Sequence, residues 1–420
     1  MRILWVKANK LLPVSSGGDI RSFHIARWLA SLHELVFLSY YDGPQDPDYE
    51  DELKKQFPSS VAICTGKRKR RVLERTVDYL WRVSKEAPYA LSRFACPAVR
   101  DFIKDSFRDG RVEVAVCDFL DATVNFPEDL TVPSVLFQHN VESEIWRRYA
   151  ITESNPMKRT MYKLEYRKML AYEQNAVQAF HHVIAVSAHD VALMRALAPG
   201  SHLTVVPTGV DLERFQPNHP ASGLAPLVVF VGAMDWQPNI DAVAYFCREV
   251  WPKIRLQVPA AQFRIVGRNP HKRVRGLCSE SVEVTGSVPS VTEHLRAAAV
   301  VVVPLRVGGG TRLKIYEAMA LGKAVVSTTV GAEGLDVHSG QDIVLADEPN
   351  AFSDAVVRFL NDLQFRRRYE SRAAELAARY GWPSIAARFG EVLEQVRGQV
   401  CSRPKSARMW EPDGWVELRS

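Results

Sequence analysis

No run of apolar residues in this chain approaches the roughly 18 needed to cross a bilayer, so no membrane-spanning helix is expected. Its six cysteines, Cys64, Cys96, Cys117, Cys247, Cys278 and Cys401, never fall into a C-x-x-C pair. That scatter argues against both a zinc site and a disulfide framework. Cys64 and Cys117 lie in apolar runs and are expected to be buried, acting as small hydrophobes. The pattern G-x-x-x-x-G-K-[ST] is absent, which removes a Walker-type phosphate loop. No internal repeat recurs at the spacing of solenoid proteins. Neither sign of charge dominates: the net charge of +6 does not by itself indicate nucleic acid, and suits an anionic substrate or surface equally. The opening Met1-Arg2-Ile3-Leu4-Trp5-Val6 is too short and strand-like for a signal peptide, so a cytoplasmic protein is expected.

What is present is a soluble composition, 47% hydrophobic and 24% charged, over 420 residues. That length predicts two or three compact units. Short apolar runs alternate with helix-period segments. In the first half they are Ile3–Val6, Leu35–Tyr41, Val61–Cys64, Val112–Cys117, Ser134–Gln138 and Val183–Val186. In the second they are Leu227–Val231, Phe263–Val266, Val282–Thr285, Val300–Pro304, Ala324–Ser327 and Ile343–Leu345. Continuous apolar strands separated by helices predict parallel sheets covered on both faces. Two series of about six predict an α/β protein of two doubly wound, Rossmann-like domains. The proline-rich connection Val206–Pro226 separates them. The expected division is 1–212 and 213–380, then a C-terminal helix over 381–400 returning to the first domain, and a tail over 401–420. A long helical region is expected from Ala351 to Tyr380, with a restart at Trp382-Pro383.

The segment with most chemistry is "VPLRVGGGTRLKIYEAMALGKAVVST", Val303 to Thr328. Ligands of open parallel sheets bind beyond the carboxyl ends of strands. Here a valine run ends at Pro304, Gly308, Gly309 and Gly310 follow, and a helix is expected to begin near Thr311, a good N-cap residue. Glycines let main chain approach a phosphate, and a helix N-terminus stabilises an anion. Arg312 and Lys314 add cationic donors. Glu317 lies six residues past Thr311, about 9 Å along a helix axis, where an acid could accept hydrogen bonds from a ribose. The same residues also fit a flexible loop followed by a surface helix with a Lys314–Glu317 ion pair.

The segment "PLRVGGGTRLKIYEAMALGKAVVSTTVGAEGL" resembles the donor-site signature of the retaining glycosyltransferases of group 1, or family 4. "SSGGDIRSFHIARWLASL", "QHNVESEIWRR", "VSAHD", "VPTGVDLERF" and "VGAMDWQPNIDAV" agree in the same order. The likeness is closest to the branch that builds bacterial exopolysaccharides and cell-surface glycans. It implies the GT-B architecture, two Rossmann-like domains facing each other across a cleft. It also implies that Glu317 holds the ribose, that the amides of Gly309, Gly310 and Thr311 hold the diphosphate with Lys314 or Arg312 as counter-charge, and that Gly232 passes close to the donor. The loop Ser15–Gly18, with Gly17 and Gly18, would lie in the cleft near phosphates and acceptor. His139, which could equally be a capping or packing residue, would contact the donor sugar or steady charge as the bond breaks. Two departures stand out. Gly309 occupies the place, eight residues before Glu317, of a second family acid. Met234-Asp235-Trp236-Gln237 replaces the usual arginine and lysine after the first strand.

The resemblance implies a donor that is a UDP- or GDP-linked sugar and a glycan or lipid-linked acceptor, with no nucleic acid partner. His139, Lys314 and Arg312 are the expected catalytic groups. No cofactor or metal is required by that logic, and no D-x-D motif lies near Glu317. The basic stretch Lys67–Arg71, ahead of Val72, Leu73, Val77, Leu80 and Trp81, suits an anionic membrane surface or a solvated loop before a core-facing helix. Two other functions remain open: a nucleotide-sugar epimerase on the same fold, and a catalytically silent partner subunit.

Overall fold

The computed structural model describes residues 1–14, 16–67, 79, 87–217, 226–307 and 311–398. It divides into two units, Met1–Val206 with Ala386 onward, and Pro207–Ile385.

Among the described residues the first unit has seven strands: β1 (Arg2–Ala8), β2 (Glu34–Tyr41), β3 (Val61–Cys64), β4 (Val114–Asp118), β5 (Ser134–Gln138), β6 (His182–Ala185) and β7 (Leu203–Val205). All pair in parallel in the order β3-β2-β1-β4-β5-β6-β7. The unpredicted strand is β7, three half-buried residues at the sheet edge. Helices α1 (Gly17–Leu32), α2 (Pro47–Gln56), α3 (Tyr89–Ser92), α4 (Pro97–Arg108), α5 (Glu142–Thr152), α6 (Pro156–Ala179) and α7 (Ala188–Leu197) connect the strands. The apolar runs are strands because both their faces are covered: Leu4, Val6, Ala115, Cys117 and Leu136 are fully buried in one core. Cys64, expected to be buried, is only half-covered, its Sγ 3.2 Å from the Gly43 carbonyl.

The second unit has β8 (Leu227–Val231), β9 (Gln262–Val266), β10 (Val282–Gly286), β11 (Val300–Val303), β12 (Ala324–Ser327) and β13 (Val344–Leu345). They form a parallel sheet in the order β10-β9-β8-β11-β12-β13. Its helices are α8 (Gln237–Tyr245), α9 (Trp251–Gln257), α10 (Lys272–Arg275), α11 (Val291–Ala297), α12 (Leu313–Ala320), α13 (Pro349–Asn361) and α14 (Leu363–Ala377). The helical region expected from Ala351 to Tyr380 is built of two α-helices, because Asp362 leaves helical geometry and accepts the Phe365 amide at 2.8 Å as a cap. Finally α15 (Trp382–Gly398) begins in the second unit and belongs to the first from Ala386. There Phe389 packs on Trp5 and Phe137, with ring centroids 5.5 and 5.0 Å away.

Candidate functional site

In each sheet the strand order reverses once, between β1 and β4 in the first unit and between β8 and β11 in the second. Such a reversal opens a crevice at the carboxyl ends of the two strands. The predicted site residues cluster at these two places.

In the second unit Gly232 follows β8, and the loop running to Arg312 follows β11. A Cβ on Gly232 would lie 2.8 Å from Lys314 Nζ and 2.7 Å from Asn239 Nδ2. The glycine is therefore what lets the Lys314 ammonium lie across the strand end. From the first turn of α12, Nζ donates to Asn239 Oδ1 at 3.2 Å and sits 4.3 Å above the Phe230 ring. The amide of Asn239 is itself fixed, donating to the Ala233 carbonyl at 2.9 Å. Burial, with the nearby Arg312 guanidinium adding to it, pulls Lys314 down to about 7, while Glu317 works the other way. The ion-pair alternative is not what forms: among the described residues no salt bridge joins Lys314 to Glu317, and Nζ turns to Asn239 instead.

Thr311 and Arg312 are both buried, and Arg312 stacks on Trp236 with its Cζ 5.3 Å from the ring centroid. Helix α12 starts two residues later than expected. Arg312, not Thr311, occupies the cap position, and no side chain caps it. Gly309 and Gly310, just before it, lie outside the described residues. Glu317, one turn beyond Lys314, is raised by burial; Arg214 and Lys314 oppose that shift and Asp211 adds to it. Asp211 shapes the turn carrying Arg214, accepting the amides of Glu213 and Arg214 at 3.1 and 3.0 Å. The helix is anchored at the preceding residue, Tyr316, which stacks on Tyr380 at 4.6 Å and accepts the Asp336 amide. Asn239, Trp236, Arg214 and Asp211 were not picked out as site residues from the sequence. Asp211 and Arg214 lie in the quoted "VPTGVDLERF" segment and Trp236 in a noted departure, so a signal existed.

The first unit is arranged differently. Gly17 and Gly18 do not form an open loop. They are the first turn of α1, capped by Ser16, whose hydroxyl accepts the Asp19 amide at 3.1 Å while Asp19 answers with its carboxylate. A Cβ on Gly18 would come 2.3 Å from the Phe119 ring. Phe119 sits just past β4 with φ of 71°, a left-handed geometry costing about 1–2 kcal/mol for a residue with a Cβ. Its ring stacks on His139 with centroids 3.6 Å apart, and Lys7 Nζ lies 4.5 Å from it.

His139 is wholly enclosed and both ring nitrogens are engaged. Nε2 donates to Asp118 Oδ1 at 2.8 Å, and Nδ1 accepts from Arg21 at 3.2 Å. Burial lowers it to about 4, so the ring is neutral and the Nε2–H tautomer fits both contacts. Asp118 also accepts from Trp5 Nε1 at 3.1 Å and lies 3.6 Å from Lys7, which reaches Asp19 at 3.4 Å. Burial would raise Asp118, but Lys7 and the His139 hydrogen bond outweigh it and hold it at about 2. The structure therefore gives His139 the packing surroundings that the sequence left open beside a sugar contact. Asp118, an acid ending a buried strand, was the signal missed. Nearby, burial and then Asp121 and Glu173 push Glu142 up to about 8, and burial raises Asp121 to about 6. Glu173 caps α5, accepting the amides of Glu142 and Ser143 at 2.8 and 3.0 Å.

Of the basic stretch, Lys67 is structural, donating to the carbonyls of Arg93 and Ala95 at 2.6 Å. Arg68–Leu80 and Trp81 lie outside the described residues, Tyr79 excepted. Among the described residues no group of acids, histidines and cysteines is gathered that could hold a metal ion. No described helix is long and apolar enough to cross a membrane.

Residues 225–362 match the family described as glycosyl transferases group 1. A phosphatidyl-myo-inositol mannosyltransferase of Mycolicibacterium smegmatis is 28% identical over 246 residues, 54% of this chain and 62% of that protein. The matched stretch thus spans less than two thirds of that relative. Among solved structures, sucrose-phosphate synthase from Thermosynechococcus elongatus superposes with a TM-score of 0.67 at 18% identity, covering 94% of this chain and 99% of that one. The Anabaena protein HepE, solved in complex with UDP and glucose, gives 0.64 at 15% identity, covering 94% and 100%. The fold is the two-Rossmann GT-B fold, and the likeness to the group 1 glycosyltransferases holds, with its family match in the second unit.

Proposed function

We propose that this chain, a GT-B protein whose second unit carries the group 1 glycosyl transferase match, transfers a hexose from a nucleoside diphosphate to a hydroxyl of a glycan or lipid-linked acceptor, with retention. One observation supports this best. At the β8/β11 reversal, Gly232 makes room for a half-discharged Lys314 beside the buried Arg312, with Glu317 one turn further along the same helix. A lysine depressed by burial regains its charge when an anion arrives, which suits a diphosphate. Lys314, Arg312 and the amides of Gly309, Gly310 and Thr311 would hold that diphosphate, and Glu317 the ribose. The base would be uracil or guanine.

In the step itself the bond from the sugar's anomeric carbon to the diphosphate oxygen breaks through an oxocarbenium-like state. The acceptor oxygen bonds to that carbon from the same face, and its proton passes to the departing phosphate. The protein's task is then to stabilise negative charge growing on the leaving group, which fixed cations in a low-dielectric site do well. The proposal calls for no metal ion or other cofactor. Gly18 contributes by keeping α1 close to Phe119. His139 enters as a positioning residue that fixes Asp118 and Arg21. Work at the cytoplasmic face of a membrane fits a lipid-linked acceptor. The two enzymes named above by activity are a mannosyltransferase and a sucrose-phosphate synthase, not epimerases.

The test is binding of UDP and GDP followed by turnover of their sugars. Glu317→Ala should weaken nucleoside diphosphate binding about tenfold or more, since a hydrogen bond to a charged group is worth about 1.5–3 kcal/mol. Unchanged affinity would remove the site assignment. Release of the diphosphate only when acceptor is present separates transfer from epimerisation, and binding without any turnover would indicate a silent subunit.

A further inference from the structure

The helical hairpin of α5 and α6 carries a surface that the proposed chemistry does not use. Residues of α6 are buried only from Glu165 onward; none from Pro156 to Leu164 is. That half of α6 buries none of its residues, while on the adjoining α5 Ala150 is buried and Trp146 packs against the core. The hairpin tip exposes three large apolar or aromatic side chains: Tyr149 at 46%, Ile151 at 65% and Met157 at 83%. Ile151 is in the last turn of α5 and Met157 in the first turn of α6. Behind them Trp146, Tyr149 and Tyr162 form a cluster with ring centroids 5.7–6.3 Å apart.

Charge around the tip is one-sided. Between Glu144 and Lys163 there are five basic residues, Arg147, Arg148, Lys158, Arg159 and Lys163, against the acids Glu144 and Glu153. Glu144 is already engaged by Arg147 at 2.5 Å and Arg148 at 2.9 Å. Lys158 and Arg159 follow Met157 directly and are exposed. The tip itself is rigid in its start: Asn155 caps α6, accepting the amides of Met157 and Lys158 at 3.0 and 3.2 Å.

Apolar side chains at a tip, amphipathic aromatics just behind them and basic residues around both match the layers of a bilayer surface in order. Ile151 and Met157 fit the acyl boundary, Tyr149 and Tyr162 the headgroup level, and the basic residues the lipid phosphates, while Trp146 ties the aromatics to the core. A protein partner could cover the apolar residues but gives no reason for the basic ring, unless it were acidic. From this juxtaposition we infer that the α5–α6 tip docks the enzyme on an anionic lipid bilayer. The inference deepens the lipid-linked acceptor reading and rests on it for its purpose, though its geometry stands alone.

The experiment is co-sedimentation of the full chain with vesicles of phosphatidylcholine alone and with added phosphatidylglycerol, at low and high salt. The wild type should partition to the anionic vesicles and be released by salt. Ile151→Ser with Met157→Ser, and separately Lys158→Glu with Arg159→Glu, should each lower the partition coefficient at least about tenfold. Thermal midpoints and UDP affinity should stay unchanged, because these side chains are exposed and remote in sequence from the nucleotide residues. Wild type that fails to sediment, variants that sediment equally, or variants that abolish self-association in light scattering would each overturn the docking claim. UDP binding read on the same samples shows whether the nucleotide reading stands regardless.

Discussion

The two sheets share one topology around their reversal points, yet they use it oppositely. At β1/β4 the polar groups answer one another: Lys7 meets Asp19 and Asp118, Asp118 meets His139, and His139 meets Arg21. Phe119 closes over them against Gly18. At β8/β11 the ammonium of Lys314 donates to a neutral amide and lies over a ring face; burial and the nearby Arg312 loosen its proton, and Glu317 works the other way. A charge balanced inside the protein contributes to the fold, whereas a cation held beside neutral partners favours an incoming anion. On the proposed reading, the first group holds the fold together and the second takes a ligand.

The largest effect should come from breaking the balanced network. Asp118→Ala takes an acidic partner from Lys7 and the acceptor from His139 Nε2 and Trp5 Nε1, and should cost about 3–5 kcal/mol, read by chemical denaturation. If the loss is under about 1 kcal/mol, the first unit's network is not structural. The converse change is Lys314→Met. It should weaken UDP or GDP binding about tenfold to a hundredfold while leaving the thermal midpoint level or slightly higher, since a buried cation is removed. A variant that unfolds instead would place Lys314 with the structural group. The smallest effect is Trp236→Leu. Losing the stack on Arg312 should raise the donor's KM two- to fivefold, the scale of a cation–π contact of about 0.5–1 kcal/mol, with kcat less affected. Trp236→Phe should recover most of it.

Much of this comparison was legible in the chain. Val61–Cys64, Ser134–Gln138, Leu227–Val231 and Ala324–Ser327 are strands with the bounds their apolar runs predict. Leu203–Val205 was missed because three half-buried residues carry no period. The start of α12 was misplaced by two residues, because a residue type can favour a cap position without the backbone turning there. Ser187, in the quoted "VSAHD", caps α7, accepting the Asp190 amide at 3.0 Å. The glycines show the limit more clearly. The resemblance implied the donor beside Gly232 and phosphates and acceptor near Gly18, not the side chains that lie against them. Only side-chain positions reveal Lys314 in one case and Phe119 in the other. The His139 network was hidden for the same reason, its members being scattered from Lys7 to His139 until β1, β4 and β5 align.

The central claim is that Lys314 is a cation kept partly discharged until a diphosphate arrives. Its free-state value of about 7 lies below the ordinary 10.5, so it loses its proton as pH rises through neutrality, and affinity should fall with it. Titration calorimetry of UDP slightly above neutral pH, repeated in buffers of different ionisation enthalpy, measures this directly. The account predicts binding with net proton uptake, abolished in Lys314→Arg, whose guanidinium stays charged throughout. Binding without proton uptake in the wild type, or no binding of UDP or GDP at all, would contradict it.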